Sequence, residues 1–123
     1  YAHKHNEANG EHNRDGRDGE PAANFGVEGP TADPAIRLRR DRVRRAMLAT
    51  LAFAQGTPMF CAGDEIANGQ GGNNNAYNQD NPTGWLDWAN ADADLRAFTG
   101  RCIALRRAEP ALRHDHWFAP GPC

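Results

Sequence analysis

Residues 55–65, Gln-Gly-Thr-Pro-Met-Phe-Cys-Ala-Gly-Asp-Glu, settle whether the chain is all-helical or mixed. Thr57 to Gly63 is a short apolar run without alternation, the pattern of a strand covered on both faces in a parallel sheet. Pro58 fits only near the strand's start, since further in it would remove a ladder hydrogen bond. A single parallel strand is not a sheet, because its N–H and C=O groups need neighbours on both sides. The rest of the sequence offers no second convincing strand. The chain therefore reads as a piece of something larger.

Both flanks of this run read as polar loop and helix. Upstream, Asp33-Pro34 has the form of a helix start: an Asp cap followed by a proline at the first helical position. The predicted helix runs from about Pro34 to Ala54, with Ile36, Val43, Met47, Leu51 and Ala54 on one stripe. Arg37, Arg40, Asp41, Arg44 and Arg45 occupy the other face, and Gly56 stops the helix. Downstream, a polar loop from Gly63 to about Ala91 leads into a helix from about Asp92. That helix carries Leu95, Phe98, Cys102 and Leu105 on one face and ends at Pro110. Residues 1–33 show no period and are crowded with Asn, Asp, Glu, His and Gly, which predicts loop, disordered in isolation. The order loop, helix, strand, long loop, helix is one αβα slice of a parallel α/β architecture.

Composition narrows the function classes. A net charge of -2 over 123 residues gives no general attraction to nucleic acid or anionic membranes. No apolar stretch approaches the roughly 20 residues of a bilayer span, and no signal peptide precedes the first loop, so a cytoplasmic location is expected. Three cysteines, Cys61, Cys102 and Cys123, show no CxxC pairing and read as reduced thiols, with neither disulfide nor zinc site. The arginines from Arg37 to Arg45 would be the basis of a nucleic-acid surface, but Asp41 interrupts them and no groove-reading motif accompanies them. A solvated outer helix face is the preferred reading.

Candidate chemistry concentrates in the loops. Asp64 and Glu65 follow the run directly, at the strand end where α/β enzymes place their sites. Adjacent residues point to opposite faces, so the two are poorly suited to be a facing carboxylate pair. The bland alternative is that they bond neighbouring backbone. Residues 69–81 are dense in Asn and Gln, which offer a donor and an acceptor each, as sugar hydroxyls do. Tyr77, Trp85 and Trp88 could present apolar faces to a sugar ring, although for the two tryptophans packing of the loop is preferred. His3, His5 and His12 with Glu7 and Glu11 match no zinc spacing. Asn13, Asp15, Asp18 and Glu20 miss the EF-hand spacing, and His114-Asp115-His116 reads as surface. No metal and no cofactor is expected.

Three segments, HNEANGEHNRDG at 5–16, QGTPMFCAGDE at 55–65 and GGNNNAYNQDN with WLDW at 71–88, together resemble the glycogen debranching enzymes of the isoamylase type. These belong to the alpha-amylase superfamily of retaining glycosidases. The resemblance extends through nearly the whole chain, and the Asn-rich segment ending in QDN is specific to the debranching and isoamylase branch. It implies α/β architecture as a partial (β/α)8 barrel, comprising about helix seven, strand eight and helix eight, incomplete as an isolated chain. Residues 1–118 would be the late part of the catalytic barrel, and 119–123 the start of a linker to a missing C-terminal β domain. The family's nucleophilic Asp, acid/base Glu and third Asp lie before Tyr1, so no catalytic residue is expected here and the isolated chain is expected to be inactive. Loop position implies substrate-binding candidates: Asn6, Glu7, Asn9, Asp64, Glu65, Asn73, Asn74, Asn75, Tyr77, Asp80 and Asn81. The implied partner is an α-glucan, glycogen or limit dextrin, cleaved at α-1,6 branches, with no nucleic acid or membrane. A maltooligosyltrehalose hydrolase, an alpha-amylase fragment and a non-catalytic glucan-binding module are the alternatives. Residues 17–31 depart from the family pattern in length and composition, and Cys61 and Asn78 are local variants.

Overall fold

The computed structural model describes residues 1–116. The boundary expected at 118–119 lies outside these residues. Two α-helices, α1 (Pro34–Phe53) and α2 (Ala93–Ala108), carry the fold, with short 3-10 turns at Glu7–Asn9, Asp64–Ile66, Ala76–Asn78 and Pro110–Arg113. Among the described residues none is in a strand, and no helix is long and apolar enough to cross a membrane.

Both helix starts follow from their caps. The Asp33 carboxylate accepts from the N–H groups of Ala35 and Ile36 at 2.8 and 3.3 Å, and Pro34 occupies the first turn. Asp92 accepts from Leu95 N at 2.9 Å, while Asp94 in the first turn and Arg106 and Arg107 in the last oppose the helix dipole. The chain leaves α1 at Ala54 in extended conformation and turns at Gly56, whose φ of 94° suits glycine.

The helices run parallel. The Arg45 guanidinium lies 5.2 Å over the Phe98 ring, and one helical stretch later Arg106 donates to the carbonyl of Ala52 at 2.8 Å. The buried face of α1 is Leu48 and Ala52, and that of α2 is Leu95, Thr99, Cys102 and Arg106, at steps of four, three and four. Ile66, from the Asp64–Ile66 turn, completes this small core, and its carbonyl accepts from Asp92 N at 3.1 Å.

Three expectations are corrected. The predicted strand at 57–63 is absent: residues 57–61 have no regular structure, and Met59 is 82% exposed. The reason is the one the sequence supplies, since an extended run without paired neighbours has no ladder to join. The α/β assignment therefore gives way, for the described residues, to a helical piece with long loops. The predicted α1 stripe is also not the packed one. Val43 and Met47 are exposed, Met47 at 68%, because α2 meets the face one position along, at Leu48 and Ala52. On α2, Leu95 and Cys102 are buried as expected but Leu105 is exposed.

The arginines do more than face water. Arg40 donates to the carbonyls of Asn24, Val27 and Gly29 at 2.6 to 2.7 Å, fastening the preceding loop to α1. Arg39 lies 5.3 Å over the Phe25 ring. Arg106, buried, donates to Ala54 O at 2.7 Å as well as to Ala52 O and Gly56 O, fastening the exit of α1. A planar guanidinium with five donors in a fixed fork suits such multiple carbonyl capture.

Candidate functional site

Two loops far apart in sequence, residues 1–18 and 70–81, are sewn together by side-chain amides. His5 N donates to Gly72 O at 2.8 Å. Asn6, fully buried, donates through Nδ2 to Asn74 Oδ1 at 2.8 Å and to Asp15 O at 2.9 Å, and its Oδ1 accepts from Asn74 N at 3.0 Å. Asn9 donates to Asp15 Oδ2 at 2.6 Å and to Asn75 O at 3.0 Å, while accepting from Asn73 Nδ2 at 2.8 Å and Gln79 Nε2 at 2.9 Å. With two donors and two acceptor positions filled, the Asn9 carboxamide is saturated. The first loop lacks helical or strand period, as predicted, and takes its order from these bonds.

Glycine permits the approach. Gly16 has φ +73°, and a Cβ there would strike the side chains of Asn74 and Asn6. Gly72, at φ +85°, would place a Cβ 2.7 Å from both His5 and Tyr1.

Two carboxylates anchor the assembly. Asp15 receives Asn9 and Asn75 on Oδ2, and these donors hold its carboxyl below the usual carboxylate range. Its Oδ1 is buried without a partner. Glu28 accepts from Ala2 N, His3 N, Asn24 Nδ2 and His5 Nε2 at 2.9 to 3.1 Å. The Ala2 and Asn24 donors lead in holding it well below the ordinary range. Lys4 completes the base, pairing with Asp18 at 2.9 Å and donating to Asp15 O at 3.0 Å.

The structure thus divides the sequence-predicted candidates. Asn6, Asn9, Asn73, Asn74 and Asn75 come together, but as an internal frame: Asn6, Asn9 and Asn73 are buried, Asn9 and Asn73 bonding each other and Asn6 bonding Asn74 and the Asp15 carbonyl. Asn81 organises a turn, donating to Gln79 Oε1 at 2.7 Å and accepting from Thr83 N at 2.9 Å. Glu7, Asp64, Tyr77 and Asp80 are exposed. Asp64 and Glu65 belong to the separate turn that meets α2, and Glu65 accepts from Gly63 N at 3.0 Å, which is the bland role open to it. Trp85 and Trp88, expected to pack the loop, are both more than half exposed.

Sequence reading missed Glu28, Arg40 and Arg106. Nothing periodic marks Glu28, and it lies in the segment that departs from the family pattern. For Arg106 a signal existed, since it continues the Leu95–Cys102 face at a step of four. Among the described residues no group of three or more His, Cys, Asp or Glu side chains is placed to hold a metal.

No protein-family model matches the chain. It is 56% identical over 121 residues to a glycogen debranching enzyme of Serratia proteamaculans, 53% to that of Yersinia enterocolitica and 51% to that of Pectobacterium atrosepticum. Each match covers 98% of this chain and 18% of the relative. The chain is therefore homologous, over nearly all of its residues, to a segment amounting to 18% of the length of proteins named glycogen debranching enzyme.

Proposed function

We propose that this chain is part of the catalytic domain of a glycogen-debranching enzyme, a retaining glycosidase that hydrolyses α-1,6-glucosidic branch linkages in glycogen and limit dextrin. The observation that carries the reading is the identity of 51 to 56% across 98% of the chain. Within the whole enzyme the chain contributes a late part of a (β/α)8 barrel, as helix seven, strand eight and helix eight, and works in the cytoplasm on α-glucan. Two features support this placement. The two helices are parallel, as successive helices around such a barrel are, and the connection between them contains an apolar run left unpaired. Retention would require two carboxylates about 5 to 5.5 Å apart, one of them forming a covalent glycosyl intermediate. These lie elsewhere in the enzyme.

The role of this chain is to build a wall of the cleft. The amide frame around Asn6, Asn9 and Asn73 fixes loop shape, and the exposed Glu7, Asp64, Tyr77 and Asp80 face the glucan. The polypeptide as its gene encodes it is expected to release reducing ends from limit dextrin and to leave linear α-1,4 chains largely intact. Equal action on both substrates would instead indicate an amylase. Residues 1–123 alone are expected to release none.

A further inference from the structure

Asn9 is followed by a glycine, and an asparagine–glycine pair carries a reaction of its own. The nitrogen of the second residue attacks the carboxamide carbon of the first, and glycine, with no side chain and wide backbone freedom, hinders that approach least. A bond forms between Gly10 N and Asn9 Cγ, and Nδ2 leaves as ammonia with the proton that Gly10 N gives up. Water then opens the resulting succinimide at either carbonyl, to aspartate or to isoaspartate. The sum is carboxamide plus water to carboxylic acid plus ammonia.

Every group in that reaction is held in the folded chain. Asn9 is buried, and its leaving Nδ2 donates to Asp15 Oδ2 at 2.6 Å and to Asn75 O at 3.0 Å. Its Oδ1 accepts from Asn73 and Gln79 at 2.8 and 2.9 Å, which fixes the plane of the carboxamide. The peptide between the two residues is tied at both ends: Asn78 Nδ2 donates to Asn9 O, and the attacking Gly10 N donates to Glu7 O, each at 3.3 Å. Four of these partners, Asn73, Asn75, Asn78 and Gln79, come from the far loop. The attack therefore requires the two loops to part first, a local opening rather than global unfolding. Closure afterwards is blocked, because conversion sets a carboxylate where a donor stood, 2.6 Å from Asp15 Oδ2, and like charges so close disfavour each other. Isoaspartate also adds a methylene to the backbone.

We propose that Asn9-Gly10 is a masked deamidation site: the amide frame keeps it silent, and parting of the two loops converts Asn9 irreversibly, so that the frame cannot re-form. The inference uses only bonds within this chain and stands apart from the glucan reading.

The test uses the polypeptide as its gene encodes it, held at mildly alkaline pH either native or unfolded in guanidinium, with conversion at Asn9 followed by peptide mapping and mass spectrometry. Native Asn9 is expected to convert at least about tenfold more slowly than unfolded Asn9. Asn73→Ala and Gln79→Ala each remove one donor to the carboxamide and should speed native conversion about two- to tenfold, while leaving the unfolded rate unchanged. Equal native and unfolded rates in wild type, or wild-type native rates in both variants, overturn the proposal. Should the variants fail to fold, wild type in sub-denaturing guanidinium decides: Asn9 conversion should climb with denaturant before the global transition, and a flat response there overturns the masking. Asn9→Asp supplies the product directly and should melt below wild type; an unchanged melting temperature overturns the irreversible step.

Discussion

Asn6 and Asn74 form a reciprocal pair across 68 positions of sequence: Asn6 Nδ2 donates to Asn74 Oδ1 at 2.8 Å, and Asn74 N returns a bond to Asn6 Oδ1 at 3.0 Å. The carboxamide of Asn6 thus behaves as an extra peptide group inserted between two loops. Replacing Asn6 by Ala takes the partner from Asn74 N and from Asn74 Oδ1, whereas the Asp15 carbonyl keeps Lys4, and buried groups left unsatisfied cost about 1 to 3 kcal/mol each. Asn6→Ala is expected to lower unfolding free energy by about that amount, read from urea denaturation. Asn6→Asp, which keeps the acceptor but sets a carboxylate against Asn74 Oδ1, should do no better. A change below about 0.5 kcal/mol in both would show that the pair is not holding the loops.

Gly16 offers a comparison with a built-in control. Gly10 and Gly16 have similar positive φ values, 81° and 73°, but a Cβ at Gly10 meets nothing within 4 Å while one at Gly16 meets Asn74 and Asn6. Backbone strain of about 1 to 2 kcal/mol applies to alanine at either site. Only Gly16→Ala adds a collision, so its melting temperature should drop clearly further than that of Gly10→Ala. Equal drops would mean that the loops do not approach as described.

Arg106 is expected to be the most sensitive charged residue. Arg106→Met keeps the apolar stem but leaves the carbonyls of Ala52, Ala54 and Gly56 without their donor. Hydrogen bonds to charged groups contribute about 1.5 to 3 kcal/mol, and a loss in that range is expected. Amide hydrogen exchange supplies the localisation: protection should fall at the last turn of α1 and at the first residues after it, and survive near Pro34.

Stability should decline on acidification through Glu28 and Asp15. Both carboxyls are held below their ordinary range in the folded chain, by Ala2 and Asn24 donors on Glu28 and by Asn9 and Asn75 on Asp15. A depressed folded-state value means that the stabilisation is present above the unfolded carboxyl range, near pH 4, and is lost as pH falls towards the folded value. Melting temperature should be flat from pH 7 to about 5 and decrease below about 4. Glu28→Gln, which has no proton to gain, should start lower and show a shallower acid limb; a limb as steep as wild type would assign the loss to other groups.

Much of the helical frame was legible because caps are local chemistry. Asp33 and Asp92 each bond N–H groups within three residues, so both helix starts follow from adjacent sequence. The amide-rich loops were legible in type but not in role. Saturation of Asn9 depends on Asn73, Asn75 and Gln79, more than 60 positions away, and no window of sequence reveals that partnership. The packed face of α1 went unread for a similar reason. Met47 and Leu48 are both apolar neighbours, and only the approach of α2 chooses between them. The run at 57–63 was read for its composition, whereas a strand exists only as one member of a ladder. Arg40 reads in the sequence as charge and Arg106 carries no mark there, although the work of both is the collection of carbonyls.

The fastening of α1 by Arg106 bears on the order in which the polypeptide is made. Arg106 follows Gly56 by 50 residues, which at about 5 to 20 residues per second places it on the ribosome some 3 to 10 s later. Throughout that interval the last carbonyls of α1 lack the donor that holds them, and the apolar segment beyond lies open. A nascent chain stalled before residue 106 should therefore be cut by protease between Ala52 and Gly56 more readily than one stalled well past it, since those are the carbonyls that Arg106 holds. The exit of α1 is thus a point of exposure to chaperones and proteases during synthesis, fastened from a distance by a residue made 50 positions later.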